Sequence, residues 1–281
     1  MRKAKAWKIS VLLLVAAVAG MAVGGAKRSQ SRAELHFGVF PYIAPRVIEK
    51  IYAPIGAEFS HVLNREIQFR TASSYTRFMK NLNLQMYDIV FVQPFDYVEI
   101  ADKYGYKPLA TRDKKLPAVL VVKADSKLNG VRSLRGKAIG LPPKVAAISY
   151  MVKSYLKRHG LVPGKDVTIK HFRSHGSCMH NVLVGSVAVC GTAPPAVRVF
   201  QSRMKVSLRV IARTPSISNS LFAVHPRVPR QQVELLRKAI LSWPNSEKGR
   251  RLLKGAKVKA FIEVDDAQYN DVRKMAVEFR R

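Results

Sequence analysis

Acidic residues, cysteine and long apolar runs are all scarce in this chain of 281 residues. Asp and Glu number 18 against 49 Lys and Arg, a formal charge of +31. The carboxylates are spread without a paired acid/base pattern and no nucleophile motif accompanies them, which argues against an enzyme built on Asp96, Glu99, His175 or Cys178. The charge favours an anionic partner: a small oxyanion, a membrane surface or a nucleic acid. No zinc-finger spacing or aromatic RNA-binding signature is present, and that removes the nucleic acid. The opening apolar run, Ile9 to Val23, has fifteen residues, short for a spanning helix, where about 20 are usual. Four basic residues precede it and small residues follow to Ala26, so 1–26 reads as a secretory signal peptide rather than an uncleaved anchor. No cysteine lies near Ala26, which argues against a lipid anchor. With 48% hydrophobic and 24% charged residues, the rest has enough apolar content for one large domain or two lobes.

After a polar leader at 27–33, strand-like and helical segments alternate. "ELHFGVF" (34–40), "REIQFRT" (65–71) and "YDIVFV" (87–92) read as strands. Between them, Val47, Ile48, Ile51, Ile55, Phe59, Val62 and Leu63 recur at helical spacing, and Ser73 or Ser74 caps a second helix. "QPFDYVEIADKYG" (93–105) opens with proline and closes with glycine, as helices do. "YKPLAT" and "LPAVLVVKADS" add strands before a second series. In it "PPKVAAISYMVKSYLKRHG" (142–160) reads as a proline-initiated helix, and strands at 167–172, 186–192, 206–212 and 219–226 are separated by helical stretches. Three helical segments close the chain. The alternation predicts an α/β fold with mostly parallel sheets.

The ordered series "FGVFPYIAP" (37–45), "TASSYTRFMKNLNLQMYDIVFVQPFDYVEIADKYGYKPLA" (71–110), "VRSLRGKAIGLPP" (131–143), "RSHGSCMHNVLVGSVAV" (173–189) and "ISNSLFAVHPRVP" (217–229) resembles the phosphate/phosphite/phosphonate-binding proteins of ABC importers. The resemblance implies a type II periplasmic binding protein: two α/β lobes joined by a two-strand hinge, with lobe one at 34–125 plus 213–281 and lobe two at 126–212. It implies a periplasmic location, a small oxyanion ligand, an ABC permease in the inner membrane as partner, and neither cofactor nor metal.

Ligands of open α/β sheets bind beyond the carboxyl ends of strands, where helix N-termini offer unpaired N–H groups. The candidate points are the 41–45 turn with Tyr42, the Ser73–Tyr75 turn, the helix start from Pro142 to Ser149, and His175 with Ser177. Tyr75 stands where the family places a ligand-binding tyrosine, Tyr97 matches the tyrosine of its Gly-Pro-x-x-Tyr pattern, and His175 matches its Ser-His motif. Spacing alone leaves both tyrosines as half-buried helix residues and the histidine as structural. Two departures stand out. The family's Ser-Thr-Ser run is replaced by "PKVAAIS", where backbone N–H groups and Lys144 remain, although Lys144 also reads as a solvated lysine. Gln93 replaces a glycine.

Cys178 lies at the start of a short helix and Cys190 at the end of the strand returning beneath it, a geometry suited to a disulfide in an oxidising compartment. A soft-metal site from Cys178, His180, Cys190 and His175 or His171, and two free buried thiols, are the alternatives. The leading reading is the binding component of an importer. A diverged relative acting as sensor, redox-associated or metal-binding protein is the other.

Overall fold

The structure, a computed structural model, describes residues 34–279. The signal peptide and leader read at 1–33 lie outside the described residues. Among these, no helix is long and apolar enough to cross a membrane.

The first sheet is built from β1 (Leu35–Val39), β2 (Ile67–Thr71), β3 (Ile89–Val92) and β4 (Lys107–Arg112), linked by α1 (Pro45–Leu63), α2 (Tyr75–Asn83) and α3 (Pro94–Tyr104). β1 pairs in parallel with β2 and β3. The four residues of β3, IVFV, are all buried, as a strand covered on both faces requires.

The second sheet holds β5 (Val119–Lys123), β6 (Ala138–Leu141), β7 (Thr168–His171), β8 (Val189–Thr192) and β9 (Leu208–Arg213) in the order β7-β6-β8-β5-β9. α4 (Ala147–Arg158), α5 (His175–Leu183) and α6 (Pro194–Met204) supply its crossovers. The chain then returns through β10 (Leu221–Val224), which inserts antiparallel between β3 and β4. α7 (Arg230–Ser242), α8 (Glu247–Ala256), β11 (Phe261–Ile262) and α9 (Asn270–Val277) follow, and β11 closes the first sheet in the order β11-β4-β10-β3-β1-β2.

Two chain passes, 113–118 and 214–220, link the sheets. They touch through paired backbone bonds, Leu116 N–H to Ile217 O at 2.8 Å and Ile217 N–H to Leu116 O at 3.0 Å. One apolar cluster runs from Val90 of β3 and Tyr97 of α3 to Leu120 of β5, Ile139 of β6 and Val152 of α4. Phe95 of α3 stacks on Tyr150 of α4, ring centroids 4.6 Å apart.

Three readings of the sequence need correction. In α1 the expected Ile48, Ile55, Phe59 and Leu63 are buried together with Tyr52, which the apolar spacing leaves out, while Val47 is 46% exposed at the edge of that face. α4 starts at Ala147 rather than Pro142, because Pro142 and Pro143 sit in a turn closed by Ala146 N–H to Pro143 O at 2.9 Å. β11 was not expected; its two residues become a strand only through pairing with β4.

Candidate functional site

The strand-to-helix turns of both sheets meet at one cleft of about 350 Å3. Phe40, Pro41 and Tyr42 arrive from the end of β1, Tyr75 from the start of α2, Gln93 from the end of β3 and Arg112 from the end of β4. Across the cleft lie Pro143 and Val145 to Ile148 from the start of α4, Arg173 to His175 from the start of α5, and Ala193 from the end of β8; Asn219 and Ser220 come from the second pass. This convergence of helix starts is where an α/β fold concentrates unpaired N–H groups and positive potential.

Arg112 is the half-buried cation of this cleft. Its guanidinium lies 5.3 Å from the centroid of the Phe91 ring, and its buried Nε has no hydrogen-bond partner. Among the described residues it makes no ion pair. The neighbouring phenols are linked, Tyr42 and Tyr52 hydroxyls lying 3.2 Å apart. Burial above all holds the Tyr52 phenol well above its ordinary pKa, and Arg112 pulls the other way, so Tyr52 stays a protonated donor.

A second group centres on Asp96, which is 4% exposed. Its Oδ1 accepts from the Tyr75 hydroxyl and from Gln93 Nε2 at 3.2 Å, while its buried Oδ2 has no partner. Burial pushes the carboxyl up to about 7, against the bonds from Tyr75 and Gln93 and with help from Glu99. Burial and the Asp96 charge likewise raise the Tyr75 phenol. Gln93 also crosses the cleft. Its Nε2 donates to Val145 O at 2.6 Å and its Oε1 accepts from Ala147 N–H at 2.9 Å. The amide thus satisfies backbone groups at the start of α4 that otherwise lack partners.

His175 is the first residue of α5, behind the Ser174 cap. Its Nδ1 lies 2.8 Å from Thr192 Oγ1, and burial lowers its pKa, which favours the neutral imidazole.

Of the residues singled out in the sequence, Tyr42, Tyr75 and His175 line the cleft. Tyr97 is buried elsewhere: its hydroxyl donates to Asp266 Oδ1 at 2.5 Å and its ring packs edge-on against Tyr269 at 4.7 Å. It borders a larger, shallower groove of about 540 Å3, where Arg273 is held by Asp102 at 2.7 Å and Asp266 at 2.9 Å. Ser149 is fully buried and donates to the carbonyls of Pro142 and Pro143. Ser177 completes a capping box with Ser174. Lys144 is exposed in the turn before α4 and is not part of the lining.

Cys178 and Cys190 form a disulfide with Cα atoms 5.8 Å apart, buried against Val121 and Val182. The bond consumes both sulfurs, leaving no thiolate for a metal or for nucleophilic attack. The nearby His171 Nδ1 lies 2.7 Å from Pro142 O, and His180 is exposed. Sequence reasoning missed Arg112, which lies outside every segment of the resemblance, and passed over Arg173, Asn219 and Ser220, which lie inside the quoted 173–189 and 217–229 segments but were not singled out.

The family model described as periplasmic substrate-binding protein of phosphonate ABC transporters matches residues 37–269. Among solved structures, PhnD1 from Prochlorococcus marinus in complex with methylphosphonate is similar at 17% identity and TM-score 0.74, over 87% of this chain and 97% of that one. A binding protein component of an ABC phosphonate transporter from Pseudomonas aeruginosa is similar at 15% identity and TM-score 0.71, over 87% and 86%. A Xanthomonas citri protein bound to ATP is similar at 14% identity and TM-score 0.69, over 87% and 96%. No curated protein matches the chain.

Proposed function

We propose that this chain, which belongs to the family of periplasmic substrate-binding proteins of phosphonate ABC transporters, captures a phosphonate-like oxyanion in the cleft between its sheets and presents it to a membrane permease. One observation carries the choice of ligand: Arg112 brings a half-buried guanidinium, in no ion pair among the described residues and with an unpartnered Nε, into a cleft whose described lining has no carboxylate. A buried donor without an acceptor is unfavourable until an acceptor arrives, and charge-assisted bonds to an oxyanion are the strong ones. Tyr42 and His175 wall the ligand from opposite sheets, and Tyr75 supports the wall through Asp96. Residues 34–112 with 221–279 act as one lobe and 119–213, which carry all five strands of the second sheet including β5, as the other, so the division falls before Val119 rather than after residue 125, with the passes joined at Leu116 and Ile217 as the hinge. The fold's role is capture and release, with no bond made or broken.

Calorimetric titration with phosphate, phosphite and methylphosphonate tests this reading. At least one binds, and Arg112→Gln weakens that binding by roughly 10–100-fold with the melting temperature little changed. Absence of binding by every oxyanion, or an unchanged affinity in the variant, would refute it.

A further inference from the structure

Three features of the cleft lining bear on what accompanies the anionic head. The first is size. A tetrahedral head has the bulk of two to three waters, roughly 60–90 Å3, whereas the cavity is about 350 Å3. The second is the chemistry of the remaining wall. Phe40, Pro41, Leu116, Pro143, Ile148 and Ala193 present apolar surface, and the rings of Phe40 and Tyr42 pack with centroids 4.9 Å apart at an interplanar angle of 32°. Water against such a surface is readily displaced by carbon, each buried methylene being worth about fourfold in affinity.

The third feature is charge. Arg112 and Arg173 are the lining cations, and none of the described lining residues is Asp or Glu. The nearby carboxylate, Asp96, lies outside the lining: its Oδ1 is held by Tyr75 and Gln93, and its Oδ2, though without a partner, is fully covered from the cleft. An ammonium group on the ligand's tail would lose its water in a cleft lined by two cations and find no lining carboxylate, which is unfavourable without compensation.

Building on the proposed oxyanion capture, we infer that the cleft selects an organic phosphonate with an uncharged apolar tail of butyl or phenyl size, and disfavours both aminoalkylphosphonates and bare inorganic oxyanions. The Arg112 guanidinium meets the anionic head, the aromatic and aliphatic wall takes the tail, and the absence of a lining carboxylate supplies the discrimination.

Calorimetry on the full chain at fixed pH and salt, with phenylphosphonate, n-butylphosphonate, 2-aminoethylphosphonate and inorganic phosphate as probes, tests the inference. The expected result is that the phenyl and butyl compounds bind at least tenfold tighter than the other two. Equal or tighter binding of 2-aminoethylphosphonate or phosphate overturns the selectivity while leaving oxyanion capture standing; binding of none of the four overturns both. A gain-of-function variant adds a second readout. Ala146 is the N-cap of α4 and lines the cleft, a position where Asp is a favoured cap. Ala146→Asp therefore keeps the fold, places a carboxylate in the cleft, and shifts the ratio of 2-aminoethylphosphonate to butylphosphonate affinity at least tenfold toward the amine. An unchanged ratio in a folded variant counts against the inference.

Discussion

Gln93 and Ala147 are bonded across the cleft, the Ala147 N–H donating to Gln93 Oε1 at 2.9 Å while Gln93 Nε2 donates to the adjacent Val145 carbonyl at 2.6 Å. One neutral side chain from the first sheet thereby fills the hydrogen-bonding positions of a helix start belonging to the second. The glycine expected here by family resemblance has no side chain to do this.

Gln93→Ala is therefore expected to loosen the start of α4. Amide exchange at Ala147 should accelerate by roughly tenfold, the loss of about one hydrogen bond's worth of protection, and small-angle scattering should record a more open chain without ligand. Unchanged protection at Ala147 would show that the pairing is incidental.

Asp96 makes stability depend on pH with a definite sign. Its carboxyl is pushed up to about 7 in the folded chain, against about 3.9 when unfolded. Between those values the native state holds more protons than the unfolded one, so this group's contribution is fully present near pH 4 and is lost as pH rises through 7. Asp96→Asn is expected to melt higher than the parent at pH 8, by roughly 3 °C or more, with the difference shrinking toward pH 5. A difference that ignores pH would contradict the assignment.

The Cys178–Cys190 bond closes a short loop, with a sequence separation of 12. Replacing both residues by alanine is expected to lower stability by about 3 kcal/mol from loop entropy, read as a lower guanidinium midpoint. The parent should show no free thiols when denatured without reductant. Gly140 lies so close that a Cβ there would stand 3.1 Å from Cys178 Sγ, so a side chain at 140 would press on the bond. An unaltered midpoint in the double variant would remove the bond from any stabilising role.

The end of α9 is strapped to α4. Lys153 and Lys157 place their ammonium groups 4.7 and 5.1 Å from the centroid of the Phe279 ring, Tyr150 lies 5.4 Å from it, and Ser154 Oγ donates to Glu278 Oε1 at 3.2 Å. Phe279→Ala is expected to lower stability by about 1–2 kcal/mol in urea titration. A midpoint equal to the parent's would mean that the strap holds nothing.

The fold was legible where its signals are local. Strands such as IVFV are apolar on both faces, and helix starts and stops carry proline, serine and glycine. What escaped is tertiary. In α1 the inward face is the one the apolar spacing marks, but Tyr52 joins it by packing on Phe91, ring centroids 5.2 Å apart, while Val47 stays exposed. Tyr42, Tyr75 and His175 reach the cleft because they sit at strand-to-helix turns, which sequence patterns mark. Tyr97 lies one turn into α3 and faces Asp266, a partner 169 residues distant that no spacing rule reveals. Arg112 is one of 49 basic residues, distinguished only by ending the strand whose neighbours open onto the cleft.

The placement of β10 between β3 and β4 has a consequence for biogenesis. A nascent chain made and threaded N-terminus first carries an unfinished seam through its opening half, with ladder groups on both flanking strands unpaired, until residues 221–224 arrive. Completion of the earliest-made layer waits on a late-made segment, and the emerging polypeptide remains pliable until that segment slots in.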